Sequence, residues 1–222
     1  MDRERMTAYW SSIGNRDDVK RHIAEIDDAD AFFASARADL ELLFGPNLNA
    51  IKEGARVLEV GCGIGRLSLA LAKSRPDVLV SGVDVAPTMI SQALELSRET
   101  RNCSFVVGDG VSLKVYPDAC FDVVFSFIVF QHLPRHIVGQ YCSDAARVLK
   151  PGGLFFFQLQ EASFVQDVDP PWDDFRQIRY YTRAQGEALV RRPLRVSIID
   201  GQGHNMVVRA TKEPSKETAP SV

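Results

Sequence analysis

The sequence of 222 residues has only four cysteines, and none of them lies in a C-x-x-C pair. Zinc sites and disulfide frameworks need closer or denser cysteines than Cys62, Cys103, Cys120 and Cys142. No carboxylate or histidine cluster with metal-ligand spacing is evident either. We therefore expect reduced thiols and no metal.

Long hydrophobic runs are also missing, although hydrophobic residues make up 45% of the chain. The longest apolar segments, Phe121–Phe130 and Leu154–Phe157, fall well short of the ~20 residues that span a bilayer. The first five residues, MDRER, are charged and lack the apolar stretch of a signal peptide. These features predict a cytoplasmic protein with no membrane-embedded part.

An excess of positive charge is absent as well. Lys and Arg together number 26 and Asp and Glu 29, which gives a formal net charge of −3. Nucleic-acid binding depends on Lys and Arg side chains that neutralise phosphates. The charge balance therefore disfavours a nucleic acid as the main partner.

The polar N-terminal segment 1–48 has too few apolar residues for a core of its own. Its clearest feature is an amphipathic helix that ends at Gly45-Pro46-Asn47. The predicted apolar row of this helix is Ala29, Phe33, Ala36, Leu40 and Leu43. We expect a helical preface or lid over residues 1–48, a folded domain over 49–211 and a disordered tail over 212–222.

Residues 55–160 alternate between short apolar segments and amphipathic ones, which is typical of an α/β domain with a parallel sheet. The predicted strands are Arg56–Val60, Val78–Asp84, Ser104–Val107, Phe121–Phe127 and Leu154–Gln160. The predicted helices are Arg66–Ser74, one that begins at Pro87, and Arg135–Leu149, which Lys150-Pro151-Gly152-Gly153 terminates. This alternation predicts helices on both faces of the sheet.

The C-terminal zone is less regular. Thr182–Arg191 is predicted to be a helix, and Arg195–Ile199 and Met206–Thr211 are predicted to form a terminal hairpin. The long segment 160–181 either shapes a ligand pocket or covers the edge of the sheet. Its aromatic residues are Phe164, Trp172, Phe175, Tyr180 and Tyr181.

Glycines and carboxylates follow the first three predicted strands, at the edge where open parallel sheets bind ligands. Gly61, Gly63 and Gly65 follow the first strand, and such alternate glycines let a ligand approach the backbone where a helix begins. Asp84 ends the second strand, where a carboxylate can accept hydrogen bonds from ribose hydroxyls, and Asp109 follows the third. The three features together predict a nucleotide site.

The glycine pattern discriminates between nucleotides. Dinucleotide-binding sheets carry G-x-G-x-x-G, and counting from Gly61 the third glycine falls on Arg66. Arg66 blocks the close contact between helix and strand that a glycine allows. The pattern G-x-G-x-G, preceded by Glu59 inside the strand, therefore disfavours a nicotinamide cofactor.

Five segments, in order and spacing, resemble the motifs of the class I S-adenosylmethionine-dependent methyltransferases that act on small molecules. The segments are Val57–Gly65 (VLEVGCGIG), Gly82–Met89, Val106–Gly110, Phe121–Pro134 and Arg147–Gly153. The resemblance covers about residues 54–160. It implies a three-layer Rossmann-like sandwich with a seven-stranded sheet of order 3-2-1-4-5-7-6, whose seventh strand is antiparallel, and S-adenosylmethionine as the cofactor.

The resemblance also implies a role for each matching residue. Gly61, Cys62, Gly63 and Gly65 would wrap the methionine part of the cofactor, and Glu59 would orient that loop. Asp84 would hold the ribose, Val85 and Met89 would pack on the adenine, Asp109 and Gly110 would bind the adenine amine, and Phe127 would place its carbonyl near the sulfonium.

His132 is the candidate general base, because it follows the fourth strand beside Gln131. The alternative is a histidine that only orients its loop. Tyr9 and Trp10 either belong to a lid over the cofactor or anchor the N-terminal helix to the core.

Several acceptor classes are disfavoured. Methylation of amino groups in DNA bases or glutamine goes with an N/D-P-P-Y/F motif, and Ser126-Phe127-Ile128-Val129 stands in its place. Cytosine C5 methylation needs a cysteine after a proline, which the chain lacks. A methyltransferase acting on O, N or C of a small molecule is the favoured interpretation. A cofactor-binding module without transfer activity and a nicotinamide-dependent oxidoreductase are the alternatives, and the oligomeric state stays open.

Overall fold

A computed structural model describes residues 3–20, 28–162, 177–200 and 204–214. The predictions for Phe164, Trp172 and Phe175, for the turn at 201–203 and for most of the C-terminal tail lie outside these residues. Within the described residues, no helix combines the length and apolar character needed to cross a membrane.

Helices and strands alternate through the middle of the described chain. The α-helices are α1 (Arg3–Gly14), α2 (Ala29–Phe44), α3 (Asn47–Ala50), α4 (Arg66–Ser74), α5 (Pro87–Leu96), α6 (Arg135–Val148) and α7 (Arg183–Leu189), with a 3₁₀ turn at Phe130–His132. The strands are β1 (Arg56–Val60), β2 (Leu79–Asp84), β3 (Cys103–Val107), β4 (Phe121–Ser126), β5 (Leu149–Glu161), β6 (Tyr180–Tyr181), β7 (Leu194–Asp200) and β8 (Asn205–Lys212).

The strands form one sheet of order β3-β2-β1-β4-β5-β8-β7. β1 to β5 are parallel, and β8 runs antiparallel to both β5 and β7. The two-residue β6 adds a short parallel pairing at the end of β5. Apart from β6, this is the order 3-2-1-4-5-7-6 that the sequence predicts, and the fold class is confirmed.

Both faces of the sheet are covered because the strand side chains are apolar in both directions. On one face, Leu58 and Phe155 belong to a buried cluster with Val138 of α6. On the other, Val57 belongs to a buried cluster with Leu40 of α2 and further residues of α4. The result is a three-layer sandwich whose parallel strands all end at one edge.

The N-terminal helices pack on this sandwich at different places. α2 lies against α4. Phe33 was predicted to lie in the apolar row of α2 but is only half-buried, and its neighbour Phe32 is fully buried instead. α1 lies against α5, where the Thr88 hydroxyl donates to the Ser11 carbonyl at 2.9 Å. The side chain of Gln92 donates to the Gly14 carbonyl in the same contact.

Several predicted boundaries are wrong. β4 ends at Ser126, one residue before the prediction. β5 begins at Leu149 rather than Leu154, so the segment Lys150–Gly153 that was expected to end α6 lies inside a strand. The register of β4 on β5 shifts between Phe121 and Val123, which accommodates this irregular stretch. β5 therefore passes through Pro151-Gly152-Gly153 as a bulge, since β4 pairs with Leu149 before it and with Leu154 after it.

Candidate functional site

A cavity opens at the carboxyl ends of β1, β2 and β4, and its empty volume, counted out to its mouth, is about 1020 Å³. Its lining residues are Met6, Trp10, Glu59, Val60, Gly61, Cys62, Gly63, Arg66, Leu67, Val83, Asp84, Val85, Met89, Gly108, Gly110, Phe127, Ile128, Val129, His132, Leu133 and Tyr141. This volume includes space that is open to solvent, so the lining residues indicate what the cavity binds.

The loop after β1 turns tightly around one end of the cavity. Gly61 and Gly63 adopt φ values of 74° and 52°, which side chains with a Cβ rarely adopt. A Cβ on Gly61 would also collide with Val129 on the opposite wall. The Gly61 and Cys62 amides both donate to the Val83 carbonyl, at 2.8 and 3.1 Å. These bonds hold the loop of β1 against the end of β2.

Asp84 connects this loop to the next one. Its Oδ2 accepts a hydrogen bond from the Gly63 amide and its Oδ1 accepts one from the Ala86 amide, both at 2.9 Å. Each carboxylate oxygen can accept a second bond, so both remain able to bind a ligand hydroxyl. Burial raises the pKa of Asp84, while the backbone N–H groups act in the opposite direction.

Glu59 lies at the closed end of the cavity and is 3% exposed. Its Oε2 accepts hydrogen bonds from the Ser68 amide at 2.9 Å and the Ser68 hydroxyl at 2.5 Å. Burial raises the pKa of Glu59 to about 8. Glu59 therefore ties the first turns of α4 to β1.

The opposite wall is apolar and is closed by α1. Val85 and Met89 line the cavity together with Gly110 and with Met6 of α1. Gly110 has φ 74°, and a Cβ there would collide with the Met6 methyl group. Met6 of α1 thus packs directly on Gly110, and Val85 and Met89 complete an apolar wall of the cavity.

The far end of the cavity contains the residues that follow β4. Phe127, Ile128, Val129 and Leu133 line it, together with Tyr141 of α6. Ile128 has φ 57°, a strained conformation for a β-branched residue. This end is largely apolar.

His132 also lines this end. Its ring lies edge-on to Trp10, with 5.5 Å between the ring centroids, and its Nε2 lies 3.2 Å from Nε2 of Gln131. The structure thus brings His132 to the cavity, as predicted, while Trp10 both lines the cavity and packs against the core. The role of His132 as a general base stays a prediction.

Comparison with known proteins agrees with this geometry. Residues 57–153 match the family model described as "Methyltransferase domain". This match spans β1, the glycine loop and Asp84, and runs to the start of β5. Residues 57–153 thus match a methyltransferase domain, the family that the sequence motifs resemble. The resemblance found in the sequence motifs is confirmed.

Three relatives illustrate the similarity of the chain to known methyltransferases. It is 37% identical over 48% of its length to 2-methyl-6-phytyl-1,4-hydroquinone methyltransferase of Synechocystis, of which it covers 32%. It is 30% identical over 77% of its length to fatty-acid O-methyltransferase of Mycolicibacterium smegmatis, of which it covers 58%. The magnesium protoporphyrin IX methyltransferase of Synechocystis, solved with S-adenosylhomocysteine bound, has a TM-score of 0.69 at 16% identity, covering 96% and 100% of the two chains.

The chain thus spans about a third to three fifths of the length of these two curated relatives. The solved structure supports the fold alone at this identity. S-adenosylmethionine is the cofactor of the family, and the cavity suits it on two counts. Gly61 and Gly63 line the cavity with backbone that carries no side chain, and Asp84 keeps acceptor capacity beside the loop.

Two residues that were predicted to bind the cofactor, Gly65 and Asp109, do not line the cavity. Both carboxylate oxygens of Asp109 accept hydrogen bonds from Ser112, and one of them also accepts from the Val111 amide. Gly65 begins α4 with φ 83°, and a Cβ there would lie 2.8 Å from Cζ of Phe105. Gly65 therefore provides the close helix–strand contact, and the binding roles of both residues stay predictions.

Arg66 has a structural role that its sequence context does not predict, besides its place in the pattern that disfavours a dinucleotide. The Arg66 side chain is 5% exposed and its Nη2 lies 2.6 Å from Asp39 of α2. Its Nη1 donates to the Ser35 hydroxyl at 2.9 Å. Arg66 thus links the glycine loop to α2. Ser35 and Asp39 are one turn apart on α2. Their spacing indicates a binding site for Arg66 only when it is known that α2 packs against α4.

Glu59 makes the stability of the protein depend on pH. Its folded-state pKa of about 8 lies above the usual 4.5, so the folded state retains a proton that the unfolded chain releases. Stability is therefore lost as the pH rises from about 4.5 to about 8. We expect Glu59→Gln to match the wild type at pH 5 and to exceed its free energy of unfolding by a few kcal/mol at pH 8.5.

Urea denaturation of both proteins at the two pH values checks this expectation. Glu53→Gln, which removes an exposed carboxylate, is the control and should behave like the wild type. A Glu59→Gln difference that is the same at pH 5 and pH 8.5 would show that Glu59 is not held protonated.

Proposed function

We propose that the protein transfers a methyl group from S-adenosylmethionine to O, N or C of a small-molecule acceptor. The observation that carries this proposal is that two kinds of residue line one cavity. They are the glycine loop with Asp84, and the apolar residues after β4, which form its acceptor end. A donor and an acceptor can therefore meet in the same cavity.

The chain contributes binding, alignment and exclusion of water. The cofactor supplies the reactive methyl group on its sulfonium. Asp84 binds the nucleoside and, through the Gly63 amide, holds the loop, while Val85 and Met89 pack against the adenine ring. Phe127 and Val129 line the other end, where they limit the positions that an acceptor can take.

The chemical class of the methyl acceptor is inferred from the residues that line the acceptor end of the cavity. The lining residues after β4 are apolar, and this supports a small molecule with an apolar part rather than a polyanion. A hydroquinone and a fatty acid are named as substrates of two relatives, which supports the same class. We also infer that no nucleic acid is a partner, from the net charge of −3. A cytoplasmic location is inferred from the four cysteines, all of which carry free thiols.

Within the predicted lid 1–48, only α1 acts as a lid in this proposal, because α2 packs in the buried core of the catalytic domain 49–211. The strand β8 continues that domain to Lys212, the first residue of the predicted tail 212–222. Met6 and Trp10 of α1 line the cavity directly. The Arg3 side chain donates to the Asp109 carbonyl at 3.1 Å, beside the same opening. Release of α1 would open the side of the cavity where Val85 and Met89 would bind the adenine ring.

A panel of small acceptors with isotopically labelled S-adenosylmethionine tests the proposal. Label transfer to an apolar hydroxyl, amine or carbon acid is expected, with S-adenosylhomocysteine formed in equal amount. Cofactor binding without transfer to any member would favour the alternative of a binding module without transfer activity. Hydride exchange with a nicotinamide cofactor would favour the oxidoreductase.

A further inference from the structure

A group of amide side chains, the amide network, lies directly behind the acceptor end of the cavity. It consists of Gln131, Gln158, Gln160 and Asn205. Gln158 is 0% exposed and Gln131 is 4% exposed. Buried amides must satisfy their hydrogen bonds internally, so the direction of each bond is restricted.

The backbone of Ile128 fixes the orientation of the first amide. The Ile128 N–H can only donate, and it lies 3.2 Å from Oε1 of Gln158. The Gln158 Nε2 group must therefore donate, to Oε1 of Gln131 at 3.3 Å and to Oδ1 of Asn205 at 2.9 Å. The Nε2 group of Gln160 donates to the same two oxygens, at 3.2 and 3.4 Å.

This orientation continues to the histidine at the cavity. Because Oε1 of Gln131 accepts from two donors, its Nε2 group is the part that faces Nε2 of His132, at 3.2 Å. An amide nitrogen is only a donor, so the histidine nitrogen must accept. We infer that Gln131 is a positioning residue that holds His132 as the neutral tautomer with its proton on Nδ1.

This tautomer gives His132 a role in the cavity wall rather than the role of a general base. This point rests on the proposed function. A neutral imidazole has one donor and one acceptor nitrogen, and the acceptor is already engaged by Gln131. His132 therefore does not take a proton from the acceptor. It shapes the cavity wall together with Ile128, whose strained φ of 57° is stabilised by the same network.

Nuclear magnetic resonance of the full chain tests the tautomer without cofactor or acceptor. The nitrogens of histidine are labelled with ¹⁵N, and long-range ¹H–¹⁵N correlations at pH 7.5 distinguish the protonated nitrogen from the bare one. The His132 signals are those that vanish in His132→Gln. We expect protonated Nδ1 and bare Nε2 in the wild type. Protonated Nε2, in a neutral or a charged ring, would overturn the inference.

Gln131→Glu is the decisive variant because a carboxylate accepts and cannot donate. We expect Nε2 of His132 to become protonated in this variant. Gln140→Glu introduces the same charge on the exposed surface of α6 and should leave the His132 signals unchanged. An unchanged tautomer in folded Gln131→Glu would contradict the inference, and the wild-type spectrum decides alone if this variant does not fold.

Single-turnover methyl transfer by His132→Gln gives a second readout. A general base contributes ~10²- to 10⁴-fold to a rate, whereas we expect a loss of less than about tenfold. A loss of 10²-fold or more with unchanged cofactor affinity would restore the general base and overturn the inference. A failure of methyl transfer in the wild type would contradict the proposed function and leave the tautomer result standing.

Discussion

Replacement of Gly63 by valine will abolish S-adenosylmethionine binding and leave the domain folded. Gly63 has φ 52°, a conformation that costs a residue with a Cβ ~1–2 kcal/mol and a β-branched residue more. The valine would move the amide that donates to Asp84 at 2.9 Å. The loop and Asp84, the residue proposed to bind the ribose, would therefore both lose their positions.

Gly54→Val separates loss of the site from general backbone strain. Gly54 also has positive φ, 72°, but a Cβ there meets nothing within 4 Å. We expect this control to lose some stability and to bind the cofactor normally. Circular dichroism establishes folding, and calorimetric titration measures binding. Normal binding by Gly63→Val would mean that the loop is structural only.

Replacement of Asp84 by alanine will weaken binding of S-adenosylmethionine by about 10- to 150-fold. Charge-assisted hydrogen bonds to ligand hydroxyls contribute about 1.5–3 kcal/mol, which corresponds to this range. The alanine also releases the amides of Gly63 and Ala86 from their acceptor. The loss should therefore lie toward the upper part of the range.

Asp77→Ala is the matched control for this variant. Asp77 forms an ion pair with Arg75, with 2.6 Å between the charged atoms, and it does not line the cavity. Its replacement should leave cofactor affinity unchanged. Unchanged affinity in Asp84→Ala as well would remove Asp84 from the binding site.

Local sequence patterns were sufficient for the parts of the fold that depend on local interactions. β1 and α4 have the predicted bounds because a short apolar strand, a glycine turn and an amphipathic helix follow one another directly. The start of β5 was missed because Leu149 pairs with β4 ahead of a bulge, and the proline and glycines of that bulge have the sequence pattern of a turn. β6 was missed because two residues carry no periodicity.

The same distinction applies to the candidate site. The glycine loop and Asp84 were found because each lies at the end of a strand and carries a recognisable residue type. The contact of Arg66 with Asp39 and the bonds between Gln131 and Gln158 join residues far apart in the chain. Their partners depend on how α2 packs and on which strands become neighbours, and no local pattern encodes this.

Calorimetric titration of the wild-type protein with S-adenosylmethionine, S-adenosylhomocysteine and NAD tests the central claim most directly. The claim is that the cavity at the ends of β1, β2 and β4 binds the methyl donor through the glycine loop and Asp84. We expect one site for each of the first two ligands, mutual competition between them and no heat from NAD. Saturable NAD binding that displaces S-adenosylmethionine, or no binding of S-adenosylmethionine, would contradict the claim.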